Sequence, residues 1–104
     1  MIKLFYVEDE MGKVRFKDSF TIESFETFDI RYRIVAGNSV RAAFYERSTD
    51  NEIARIAYDI KYDGEFLDVV KNTKNVLHPV NREEFFDWLK EHHPDIMTHL
   101  LWYV

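Results

Sequence analysis

Residues 27–62 read TFDIRYRIVAGNSVRAAFYERSTDNEIARIAYDIKY, and this stretch decides the fold. From Thr27 to Val35, Phe28, Ile30, Tyr32 and Ile34 alternate with Asp29, Arg31 and Arg33. Successive side chains of a strand point to opposite faces, so one face is apolar and the other wet. Gly37-Asn38 supplies residues that tolerate the backbone of a hairpin turn. Val40, Ala42 and Phe44 then continue the apolar face against Arg41, Tyr45 and Arg47. After a second turn at Ser48-Thr49-Asp50-Asn51, Ala54, Ile56, Tyr58, Ile60 and Tyr62 alternate with Arg55, Asp59 and Lys61. The pattern predicts three strands of an antiparallel meander with one covered face.

Opposed residues in an antiparallel pair share a face, so slipping the register by two keeps the apolar pattern intact. Cross-strand pairs then arbitrate. The favoured first hairpin has Gly37, Asn38 and Ser39 as its loop. It sets Asp29 opposite Arg47, Arg31 opposite Tyr45 and Tyr32 opposite Phe44, and avoids Arg33 opposite Arg41. The second sets Arg41 opposite Asp59, Tyr45 opposite Arg55 and Ala43 opposite Ala57. In this register carboxylates neutralise Arg41 and Arg47, and Tyr45 lies between Arg31 and Arg55.

Upstream, Ile2, Leu4 and Tyr6 alternate with Lys3, Phe5 and Val7, which predicts a strand buried on both faces. Glu8–Gly12 is a turn, Val14 and Phe16 mark a second strand, and residues 18–26 are expected to continue it. Downstream, Phe66, Val69, Val70, Thr73, Val76 and Leu77 recur at helical spacing. They predict a helix from Glu65 to Leu77, with a strand over Phe66–Val70 as the alternative, stopped by His78-Pro79. Asn81 with Glu84 resembles a capping box ahead of a two-faced helix, Arg82 to His92. Phe85, Phe86, Trp88 and Leu89 share its apolar side. Phe85 and Leu89 are expected to pack on the sheet. Pro94 suits the first turn of a last helix, Asp95 to Tyr103, with Ile96, Met97, Leu100 and Tyr103 on one side. The expected fold is α+β: an N-terminal antiparallel β-meander of four to five strands, with C-terminal helices packed on one face.

At 104 residues and 46% hydrophobic content, the chain is read as a single domain, 1–104, with ample core. It contains no cysteine, no apolar run of membrane-spanning length and no secretory leader pattern, so a cytoplasmic location is the expectation. The net charge of -5 counts against bulk nucleic-acid binding. That charge is uneven: residues 27–62 carry +1, against -2 before and -4 after.

All three glycines fall at expected turns, which leaves none for a phosphate-cradling loop, and no nucleophile motif is present. His92, His93 and His99 crowd the C-terminal region, but their spacing matches no zinc pattern. Helix-end packing is the reading taken, with neither metal nor cofactor expected. Glu8, Asp9 and Glu10 form a solvated acidic turn, and no paired carboxylates suggest catalysis.

Two surfaces remain as candidates. Glu83, Asp87 and Glu91 form an acidic stripe that could dock a basic protein. Trp102, read first as part of a tail tucked into the core, is otherwise an aromatic anchor for a partner or a second copy of the chain. On the wet face, Arg31, Arg33, Tyr45 and Arg55 could contact an anion or nucleic acid. The sequence therefore points to a non-catalytic protein-binding domain, such as an inhibitor, immunity or anti-defence protein. The alternatives are a nucleic-acid-binding domain using the basic face and a small enzyme without a recognisable motif.

Overall fold

The computed structural model describes residues 3–35, 38–71 and 74–103, so the expectations for Ile2, Gly37 and Thr73 fall outside the described residues. The first segment departs from expectation. Lys3–Phe5 is a single 3-10 turn that sends both Leu4 and Phe5 into the core. A short strand β1 (Tyr6–Glu8) follows and pairs antiparallel with β2 (Val14–Phe16). Gly12, at φ +78°, closes the turn between them, helped by the Asp9 carboxylate, which accepts from the backbone N–H groups of Met11 and Lys13.

The main sheet has six antiparallel strands, one or two more than the pattern predicts. They are β3 (Ile22–Ser24), β4 (Phe28–Val35), β5 (Ser39–Glu46), β6 (Glu52–Asp59), β7 (Gly64–Val70) and β8 (Leu77–Val80), placed side by side in chain order. Residues 18–26 do not prolong β2. Phe20 takes φ +68°, which breaks the extended chain, and Ile22–Ser24 joins the edge of the main sheet beside β4. The third strand of the meander stops at Asp59, leaving Ile60 and Tyr62 exposed in a turn.

The predicted helix from Glu65 to Leu77 is replaced by β7 and β8. Leu67 and Val69 point into the core, and Phe66, Asp68 and Val70 face the other way. The β-branched Val69-Val70 pair suits a pleated surface, and the edge of β6 offers a complete row of backbone partners. Pro79, expected to end a helix, instead sits on the outermost strand β8, where no further strand needs its missing N–H.

The registers also differ from expectation. Arg33 stands opposite Arg41, Tyr32 opposite Ala42 and Ile30 opposite Phe44, with Ser39 already paired to Val35. Across the next hairpin Arg41 faces Ala57, Ala43 faces Arg55 and Ser39 faces Asp59. Side-chain volume on the covered face explains the choice. Rows across the sheet read Ile30–Phe44–Ala54–Val69 and Tyr32–Ala42–Ile56–Leu67, each with one alanine among large residues. The alternative would have set Tyr32, Phe44 and Ile56 in one row. Burying one large apolar side chain is worth about 1.5–3 kcal/mol, against about 0.2–1 kcal/mol for an exposed cross-strand pair, so core packing prevails. Beyond Phe44 the β5–β6 register shifts by one residue, and Tyr45 pairs with Glu52. This irregularity tucks Ile53 into the core beside Ala54.

Helices α1 (Arg82–His92) and α2 (Pro94–Leu100) close the covered face. The Asn81 side chain accepts from the Glu84 N–H at 2.8 Å, as the capping pattern requires. Phe85, Leu89, Ile96 and Leu100 are fully buried among the sheet residues. No helix among the described residues is long and apolar enough to cross a membrane.

Candidate binding face on the open side of the sheet

With both helices on one side, the other face of β3–β7 meets solvent, and strand alternation places the arginines there. Arg31 and Arg33 come from β4, Arg41 from β5 and Arg55 from β6. Together with Phe20, Ile22 and Tyr45 they line a shallow cavity of about 220 Å³ floored by the buried Ala43. The sequence-derived group Arg31, Arg33, Tyr45 and Arg55 is thus brought together, although by a different register.

The four guanidinium groups have different partners. Arg31 stands over the Tyr45 ring, its Cζ 3.8 Å from the centroid, and is also paired with Asp50. Its position relative to Tyr45 is diagonal, because Ala43 is the residue opposite it. Arg55 grips the Glu52 carboxylate with a fork of hydrogen bonds between 2.6 and 3.0 Å. Tyr45 faces Glu52 instead of Arg55. Arg47 reaches Asp29 at 3.7 Å, so this expected pair forms without direct opposition.

Arg33 and Arg41 have no ion pair among the described residues. Arg33 lies 5.5 Å from the centroid of the Phe20 ring. Arg41 lacks the Asp59 expected to neutralise it, because that residue pairs with Ser39. Burial, and then the positive charges of Arg55 and Arg33, lower the Arg41 pKa from its ordinary value despite nearby Glu52. Two like charges directly opposite on neighbouring strands cost stability.

Apolar residues surround this pair. Phe20 is 73% exposed, Ile22 60% and Phe66 58%. Phe66 lies beyond Ala57 in the same cross-strand row as Arg33 and Arg41. Sequence reasoning missed Phe20, Ile22, Arg41 and Phe66 as surface features. The available signal was parity: Arg41 shares the wet face with Arg31 and Arg55, and its assumed partner concealed it.

The second candidate surface is dispersed. Glu83, Asp87 and Glu91 are exposed along α1 beside Trp88. Glu83 and Asp87 have no ion pair among the described residues, while Glu91 lies 4.0 Å from His92. Trp102 does not line that groove. It stands on the turn after α2, 84% exposed, so the tucked-tail reading fails there while holding for Leu100.

His92, His93 and His99 pack against aromatic rings at the helix ends, while His78 lies on β8. His92 and His93 lie 5.1 and 5.3 Å from the Trp88 ring, and His99 packs 4.5 Å from Phe25. Burial lowers the His99 pKa, against the pull of Glu23. No group of three histidine or carboxylate side chains among the described residues is placed to hold a metal ion. No protein-family model, curated protein or solved structure matches this chain.

Proposed function

We propose that the chain is a non-catalytic protein-binding domain that docks its partner on the open face of the sheet. The observation supporting this reading is the coincidence on one face of exposed Phe20, Ile22 and Phe66 with two arginines that have no ion pair among the described residues. Aromatic residues and arginine are the side chains that most often carry interface energy, and exposed apolar surface is stabilised by being covered. The α1 stripe offers charge with little accessible apolar area, so it suits a rim better than an anchor.

The test is capture of a stoichiometric partner by the immobilised protein from its own source cells, compared across surface variants. Phe66→Asp should abolish capture with the thermal transition unchanged. A Glu83→Gln, Asp87→Asn, Glu91→Gln triple variant should retain it. The reverse pattern, or no stoichiometric partner at all, would overturn the open-face reading.

A further inference from the structure

We infer that Arg33 and Arg41 together seat a carboxylate side chain of the partner, with Phe20 and Ile22 receiving the apolar residue beside it. The inference rests on the open-face reading and names the chemistry recognised there. Direct opposition across β4 and β5 brings the two arginine stems to neighbouring positions, so both guanidinium groups can reach one anion. Their neighbours show what such a group takes on this sheet. Arg31 already holds Asp50 and Arg55 already holds Glu52 on either side of Ala43, and the pair in the neighbouring row, Arg33 and Arg41, has no ion pair among the described residues.

The same carboxylates select the occupant. An extended polyanion crossing this face would meet Asp50, Glu52 and Asp68 around the arginines, on a chain of net charge -5. A lone carboxylate on an otherwise apolar segment avoids that repulsion and places its neighbours on Phe20 and Ile22. A cavity of about 220 Å³ accommodates a side-chain end rather than a nucleotide with its base and sugar.

Fluorescence anisotropy with a short labelled peptide carrying a single glutamate among leucine and serine residues tests this directly. Saturable binding is expected, weakened about tenfold or more by Arg33→Gln and by Arg41→Gln and unaffected by Lys90→Gln on α1. The isosteric peptide carrying glutamine for glutamate should bind as weakly as the arginine variants do. No saturable binding, equal binding of the glutamine peptide, or tighter binding of a labelled single-stranded oligonucleotide would overturn the inference. The two proposals fail separately. Partner capture that is lost in Phe66→Asp but indifferent to Arg33→Gln and Arg41→Gln removes the carboxylate seat and leaves the docking face. Capture indifferent to Phe66→Asp removes the docking face itself.

Discussion

The two faces of one sheet obey different rules. On the covered face the two central rows each set an alanine among large residues, with Ala54 beside Phe44 and Ala42 between Tyr32 and Ile56, and no charged residue is buried among the described residues. On the open face Arg33 stands against Arg41, a pairing that favours separation of the strands. The strands cannot satisfy both faces at once, since each register fixes the pairs above and below the sheet together. Packing decided the register, and it left Arg33 and Arg41 side by side on the open face with no ion pair among the described residues.

Substitutions can break or sharpen this contrast. The largest effect is expected where α1 seals the covered face: Phe85→Ala should cost about 3–5 kcal/mol in urea denaturation, because it removes a fully buried ring. A loss below about 1 kcal/mol would mean that the helix does not close the core. Next comes the alanine that sets the register. Ala42→Leu should destabilise by about 1–3 kcal/mol through overpacking between Tyr32 and Ile56. The same change at Ala43, under arginine stems on the open face, should cost less than half as much. Equal costs would erase the distinction between the faces. The smallest effect tests the open face alone: Arg33→Gln should leave stability unchanged or raise it by about 0.2–1 kcal/mol, by relieving the like-charge pair. A loss of more than about 1 kcal/mol would make Arg33 structural instead of available.

Much of the architecture is legible in the sequence because period-two patterns are long and clean in residues 28–59. The fold class, the covered parity, the Asn81 cap and the buried pair Phe85 and Leu89 all follow from local pattern. What escaped depends on competition between distant segments. The span from Phe66 to Val70 carries both periods, and only the free edge of β6 makes it a strand. Register escaped because surface pairs were weighed without the volumes of the residues behind them. The site was half legible for the same reason. Parity placed Arg31, Arg33, Tyr45 and Arg55 on one face, but the open pair needed the register to identify Arg41.

Strand order in the main sheet is chain order throughout, from β3 to β8. Each strand pairs with the one just before it, so building the sheet requires closing only short connections. Loop-closure entropy grows with the logarithm of loop length, and proteins dominated by sequence-local contacts fold faster than those with crossed topologies. A nucleus can therefore start at any one hairpin and grow by adding adjacent strands. The open-face arginines of β4, β5 and β6 lie in the middle of that order, on strands that pair without any crossover.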